Sequence, residues 1–408
     1  MDGSPHQPFR PGSRNGPPEL AGRDDLRERL SIAADRTRGR LAAKGCLLVG
    51  LRGVGKTVLQ KRILDDAEAS GLITLKIEAA TVQSLPTALL PALRIALLEL
   101  SRIERARGLA ERALRAMAGM LRHVKVKFED VELVLDVTPE RGLADSGDFG
   151  FDLQSLLEAV GEAAAAGDTA LLLGLDEMQC IPTDELGVLV LALHGVAQKR
   201  LPLLLVGAGL PQLPGRLGRA RSYAERLLTV EPVDALQVMD AALAIEKPLR
   251  VLGVGIEPAG LQEIVRLTEG YAYFLQEWGK HAWDVAEGAV VTAADVAAAT
   301  PIATAALDAS FFRFRFDQLT PKEKEYLRAM AGLGPGPHRS GDVAAALGRK
   351  VESVAPLRNG LIGKGMIWSS AHGDTAFTVP LFDAYLRRVM PEPRDAPLPA
   401  EGSGGSGI

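Results

Sequence analysis

GLRGVGKT, residues 50–57, follows the apolar run Cys46-Leu47-Leu48-Val49 and leads into Val58-Leu59-Gln60-Lys61-Arg62-Ile63-Leu64. The spacing is G-x-x-x-x-G-K-[ST], set between a predicted strand and a predicted helix, the context in which this pattern becomes a phosphate cradle. Gly50, Gly53 and Gly55 let the amides of the loop, with Arg52 and Val54 between them, turn inward around a polyphosphate. The helix N-terminus adds partial positive charge. Lys56 is expected to reach the β and γ oxygens, Thr57 to ligate Mg2+ and Val58 to complete the contacts with bound ATP.

Outward from the cradle, short apolar runs alternate with helical patterns. Candidate strands are 46–50, 72–77, 170–175, 203–207 and 227–230. Runs of four to six apolar residues without polar alternation suit a parallel sheet covered on both faces. Segments such as 57–69 and 151–166 have helix length and composition, so βα units and an α/β domain follow. The run 170–175 ends in Asp176 and Glu177. Beside a phosphate cradle, Asp176 is expected to join Thr57 at the metal, and Glu177 to orient or deprotonate water.

The 408 residues are 47% hydrophobic and 24% charged, which excludes disordered, collagenous and disulfide-framed chains. Two cysteines, Cys46 and Cys180, fit a reducing cytoplasm. No apolar run approaches the ~20 residues that cross a bilayer, so no membrane role is expected. No zinc or cysteine-nucleophile spacing occurs among the scattered histidines and cysteines.

Five regions are expected inside this length. Residues 1–18 and 391–408, rich in Pro, Gly and Ser, are read as disordered tails. Residues 19–233 form the α/β domain, with an insertion at about 84–140: Leu93, Leu97 and Leu100 recur at helical spacing, and Val124, Val126, Phe128 then Val131, Leu133, Leu135, Val137 alternate like a β-hairpin. Residues 234–310 read as an all-α lid. Residues 311–390 read as three helices and a two-stranded ribbon, the winged-helix variant of helix-turn-helix. That last region carries 12 Lys+Arg against 7 Asp+Glu, a +5 excess on a chain of net −4. Arg349, Lys350, Ser353, Arg358, Asn359 and Lys364 cluster on or beside its third helix, with His372 at the wing tip, and are the expected contacts to double-stranded DNA. A protein-binding winged helix with a solvated charged face is the alternative. The run Phe311, Phe312, Phe314, Phe316 is expected to pack internally rather than stack on bases.

Leu20, Gly22 and Arg23, with Asp24, Asp25 and Leu26, resemble the box that precedes the cradle in bacterial AAA+ ATPases of the origin-recognition-like and STAND groupings. The P-loop, Asp176/Glu177, VGAGLPQL (206–213) and GYAYFLQ (270–276) extend the resemblance to about residue 310, and the winged helix carries it over nearly all of the ordered chain. The resemblance implies a five-stranded parallel P-loop sheet with a lid, ATP and Mg2+ as ligands, and Leu20, Gly22 and Arg23 against the adenine. It implies an arginine acting in trans, for which Arg226 is preferred over Arg219 and Arg221, and hence a nucleotide-dependent homo-oligomer. Two departures foretell slow hydrolysis. Gly207-Ala208-Gly209 stands where the family has a polar sensor, with Gln212 the nearest substitute, and Tyr271-Ala272-Tyr273-Phe274 replaces the lid arginine. A nucleotide-switched DNA-binding ATPase, a signalling scaffold and a remodelling motor are the functions these features admit.

Overall fold

The computed structural model describes residues 7–12, 16, 20–79, 84–127, 138, 142–334, 336–369 and 373–391. The chain divides into two compact units, Met1–Ala303 and Thr304–Ile408.

In the first unit, β1 (Gly45–Val49), β2 (Ile73–Glu78), β3 (Leu171–Asp176), β4 (Leu203–Gly209) and β5 (Leu228–Pro232) form one sheet in the order β2-β3-β4-β1-β5, every pair parallel. Each strand falls within two residues of its sequence-based expectation. The strands β1, β3 and β4 are buried at every position, as unalternated apolar runs require. Helices α1 (Asp24–Arg38), α2 (Lys56–Ala69), α3 (Leu85–Leu100), α4 (Arg107–Lys127), α5 (Phe149–Ala166) and α6 (Thr183–Gln198) surround it. Leu171, Leu173 and Leu175 of β3 join Leu89, Leu93, Leu97, Leu156 and Val160 in the larger core, while Leu172 faces Leu64 and Leu204 on the opposite side. That division is the period of two along a strand.

After β4 come α7 (Leu213–Ala220) and α8 (Ala224–Leu227); after β5, α9 (Val238–Val251), α10 (Pro258–Thr268), α11 (Ala272–Val285) and α12 (Ala293–Leu307). The expected all-α lid also contains a small parallel pair, β6 (Gly255–Ile256) with β7 (Val290–Val291). Thr292 and Asp295 cap α12 reciprocally: the Asp295 amide donates to the Thr292 hydroxyl at 3.1 Å, and the Thr292 amide to the Asp295 carboxylate at 2.8 Å.

Two expectations are corrected here. Val124 and Val126, read as one arm of a hairpin, lie in α4, because the helical period of buried Ala110, Ala113, Leu114, Met117 and Leu121 carries the helix past the short alternation. The rest of the hairpin, 128–137, lies outside the described residues. Residues 7–12, assigned to a disordered tail, dock along α11. Phe9 is 1% exposed, the Gln7 side chain donates to Asp284 Oδ1 at 2.8 Å, and the Arg10 amide donates to Gln276 Oε1 at 3.2 Å.

The second unit contains a π turn at Asp308–Phe312, α13 (Arg313–Asp317), α14 (Pro321–Gly332), α15 (Ser340–Ala346) and α16 (Val351–Gly363). A three-stranded antiparallel sheet, β8 (His338–Arg339), β9 (Ile367–Trp368) and β10 (Asp374–Phe377), has the order β8-β10-β9, and α17 (Phe382–Val389) follows. Both β8 and α17 go beyond the three helices and two-stranded ribbon read from the sequence. Phe312 stacks on Tyr385 at 5.3 Å and Phe316 meets the same ring edge-on, so part of the phenylalanine run does pack internally; Phe314 is 73% exposed. Both cysteines are free, and among the described residues no helix is long and apolar enough to cross a membrane.

Candidate nucleotide-binding site

The cradle 50–57 joins β1 to α2 at the carboxyl end of the sheet, where an open α/β sheet places its ligand site. Gly55 precedes α2 with φ +98, a left-handed conformation that a side chain would strain. Lys56 opens the helix and is 7% exposed; its ammonium donates to the carbonyl oxygens of Gly50 at 3.0 Å and Leu51 at 2.7 Å. Burial pulls its pKa down to about 8, against the opposing attraction of Glu177 and Asp176 and with some repulsion from Arg52.

The next residue carries the contact that unites the two motifs. Thr57 Oγ1 donates to Asp176 Oδ2 at 2.6 Å across 119 residues of sequence. Asp176 is 6% exposed, and its second oxygen accepts the Glu177 amide at 2.8 Å. Burial raises the Asp176 pKa, opposed by those two donations. One hydroxyl and one carboxylate at this spacing suit Mg2+, which takes few protein ligands and fills its octahedron with phosphate oxygens and water. The described residues hold no cluster of three or more His, Cys, Asp or Glu that would form an all-protein cage.

Glu177 adopts φ +53, strained for a non-glycine residue. Its carboxylate accepts from Gln179 Nε2, and Gln179 Oε1 in turn accepts the Leu210 amide, just past β4, at 3.1 Å. Arg216 of α7 fastens the same loop, donating to the carbonyls of Gln179 and Ile181 and to the Thr183 hydroxyl. Gln179, a residue that sequence spacing did not single out, thus ties Glu177 to the segment just past β4. A side chain at Gly207 would require the Met178 and Leu47 side chains to move, since a Cβ there would meet Met178 Sδ and Leu47 Cδ2. Gln212, the expected substitute, has a buried Oε1 without a partner among the described residues.

The Leu20–Arg23 box lies at the same end of the sheet: Gly22 packs on the Asp240 side chain, and Arg23 donates to the carbonyl of Asp234, just past β5. Burial lowers the Arg23 pKa, opposed by Asp234 and Asp240. The lid segment also reaches the cradle. The Tyr273 amide donates to the Gly53 carbonyl at 3.2 Å, and the Tyr271 ring fills the space beside Gly53. Arg226 does not join this set. It is exposed just before β5, whose first residue Leu228 pairs with Gly45, and so lies at the opposite end of the sheet.

The six residues expected on a DNA-binding face separate into two groups. Arg349, Lys350, Ser353, Asn359 and Lys364 are exposed on or beside α16. Arg358 is turned inward, bonding the Thr375 and Ser369 hydroxyls and the Asp374 carbonyl, and Lys364 pairs with Glu323 at 2.7 Å. Arg358 thus holds the ribbon, which corrects its assignment to DNA, whereas Lys364 stays exposed while anchoring the start of α14, as Arg349 does while paired with Glu325 at 3.5 Å. His372 lies outside the described residues.

Residues 19–206 match the family described as AAA ATPase domain, and residues 309–386 match a domain of unknown function, DUF8462. No curated protein matches the sequence. Among solved structures, the Walker-type ATPase PABY2304 of Pyrococcus abyssi aligns with a TM-score of 0.53 at 16% identity, over 90% of this chain and 96% of that one. The Holliday junction branch migration motor RuvB of Thermotoga maritima (TM-score 0.45, 16% identity, 89% and 96% covered) and the Aeropyrum pernix Orc1 protein in complex with DNA (0.45, 16%, 91% and 94%) align more loosely. The first unit thus has the five-stranded parallel P-loop sheet of the AAA+ type, and its residues 19–206 match the AAA ATPase domain family.

Proposed function

We propose that the chain is a slow, Mg2+-dependent ATP hydrolase that works as a nucleotide switch, its C-terminal winged helix binding double-stranded DNA in one nucleotide state. The observation that carries the nucleotide part is the Thr57–Asp176 contact beside the buried ammonium of Lys56. Gly50, Arg52, Gly53, Val54, Gly55 and Val58 wrap the polyphosphate, and Leu20, Gly22 and Arg23 border the adenine. Thr57 and Asp176 hold Mg2+, which when bound neutralises charge on the β and γ oxygens. Glu177 accepts the proton of the water that attacks the γ-phosphorus as the bond to the β–γ bridging oxygen breaks. Its engagement with Gln179 must loosen first, and this, with no arginine on the lid segment, supports slow turnover. Arg226 can serve only a second copy, in a nucleotide-dependent oligomer.

For the C-terminal unit, Arg349 and Lys350 would contact phosphates while Ser353 and Asn359 face base edges. The internal use of Arg358 favours a second reading, a STAND-like scaffold whose winged helix binds protein. Abundant ATP and the two free thiols fit a cytoplasmic setting for either.

Calorimetry and turnover assays test the nucleotide part. Lys56→Ala should weaken ATP·Mg2+ binding at least about tenfold, since it removes the charge-assisted contacts. Glu177→Gln should keep binding and lose hydrolysis about 100-fold or more, the range of a general base. Absence of binding heat in the wild type, or normal hydrolysis by Glu177→Gln, would overturn the reading.

A further inference from the structure

We propose that the amino end of the sheet, opposite the nucleotide cradle, is a docking face for a nucleic-acid duplex, gripped through its phosphates alone. Residues 36–44, which lead from α1 into β1, hold Arg36, Arg38, Arg40 and Lys44 and no acid. Residues 199–202, which lead from α6 into β4, hold Lys199 and Arg200 and no acid. The two strands are parallel neighbours, Cys46 opposite Val206, so these connections lie side by side. Together they carry +6 on a chain of net −4, and all six cations are exposed. Glu225 and Arg226, on the connection into β5 beside them, cancel. Arg38 reaches Asp168 at 4.0 Å and Lys199 pairs with Glu158 at 2.6 Å. Among the described residues the other four have no carboxylate partner; Arg36 and Lys44 donate to carbonyl oxygens, those of Ala42 and Glu225.

Cations near a helix C-terminus ordinarily offset its dipole, and a solvated surface asks for nothing more. The backbone at two of these positions argues for a further role. Helices α1, α2 and α6 close with the same pair of turn bonds: the amides of Leu41 and Arg40 donate to the carbonyls of Arg36 and Thr37, those of Leu72 and Gly71 to Ala67 and Glu68, and those of Leu201 and Arg200 to Val196 and Ala197. That turn puts one residue in the left-handed conformation, where glycine is the unstrained choice. Gly71 takes the place after α2 at φ +82, and Asp168, a type that tolerates it, takes it after α5. Arg40 and Arg200 take it at φ +58 and +52. Neither side chain has a hydrogen bond or ion pair among the described residues, so the strain serves something outside the chain. Four of the six cations are arginines, whose forked donors grip phosphate oxygens in pairs. Counterion release then supplies the affinity without any base contact. Leu41 is the one large apolar side chain exposed on these connections, too little to seat the face in a bilayer. The length of β1, about 16 Å, separates the face from the cradle, so the two do not share a ligand.

The test titrates the full chain with a labelled duplex of about 25 base pairs, as DNA and separately as RNA, over a range of salt, by fluorescence anisotropy. Replacing Arg40 and Arg200 together by Gly should lower the slope of log affinity against log salt by about 2 and weaken binding at least about tenfold at about 50 mM salt. The melting temperature should equal or exceed that of the wild type, because glycine relieves both turns. Arg40→Lys with Arg200→Lys should keep most of the slope. The same loss is expected in a chain already carrying Arg349→Ala and Lys350→Ala, so this face and the winged helix are tested apart. A slope that the glycine pair leaves unchanged would overturn the inference. So would a slope that falls only together with the melting temperature, which would make the two arginines structural. Absence of salt-dependent duplex binding would also overturn it. If vesicles with about 30% phosphatidylserine then bound the wild type and not the glycine pair, the face would be a membrane contact instead.

Discussion

Lys56 shows burial and charge working against each other in one side chain. With its pKa drawn from 10.5 to about 8, the folded chain has released this proton over a pH range in which the unfolded chain still holds it. Stability from this group therefore rises with pH between those two values, and its full penalty applies below about 8. Nucleotide reverses the sign, since polyphosphate beside the ammonium restores the charged form. Binding of ATP·Mg2+ at pH 8.5 should take up a proton, seen as a buffer-dependent heat in calorimetry, and affinity should fall about fivefold from pH 8 to pH 9. Lys56→Met should abolish the uptake; uptake unchanged in that variant would assign the proton to another group. Lys56, Thr57 and Asp176 were all legible in the sequence, because each belongs to a pattern of fixed spacing next to a strand. Gln179 was not. Its importance comes from bonds to the Glu177 carboxylate and the Leu210 amide, two chain segments that only the β3–β4 pairing brings together.

Among the elements, the parallel strands could be read directly, since burial on both faces forces unalternated apolar runs. Elements held by a single anchor escaped. Residues 7–12 have the Pro/Gly composition of a disordered tail, and averaged composition hides the one aromatic that fixes them. Phe9 lies so close to α11 that a Cβ on Gly279 would approach its ring to 2.7 Å. The α17 helix was missed for a related reason: its pattern of Phe382, Tyr385 and Leu386 at i, i+3 and i+4 is too short to stand out from the ribbon before it. Truncating Phe9 to Ala should cost the docked segment about 3 kcal/mol, within the range for buried phenylalanines. Hydrogen exchange should then quicken in Gln276–Asp284 and at the Arg10 amide, which loses its docked partner. Unchanged exchange in both places would mean that Gln7 and the Arg10 amide hold the segment without the ring.

For the whole molecule, the proposed switch is a statement about linkage between two sites on one chain. If ATP·Mg2+ changes duplex affinity by some factor, duplex must change ATP·Mg2+ affinity by the same factor. Coupling of ordinary strength, about 5- to 150-fold, is well within the resolution of fluorescence anisotropy. The prediction is that a labelled 20- to 30-base-pair duplex binds at least about fivefold differently with ATP·Mg2+ than with ADP, and that the reciprocal titration returns an equal ratio. Arg349, Lys350 and Lys364 are the exposed cations of the expected set, and the first two stand together at the start of α16, so replacing both by Ala should lower the slope of log affinity against log salt by about 2. Equal duplex affinity with ATP, ADP and no nucleotide would reject the switch. A salt slope unaltered by the double substitution would place any DNA contact elsewhere. Capture of a protein partner that survives the double substitution, without salt-dependent duplex binding, would select the scaffold reading. In that case Arg358, turned inward to fix the ribbon through Thr375, Ser369 and Asp374, is the residue that shapes the docking face.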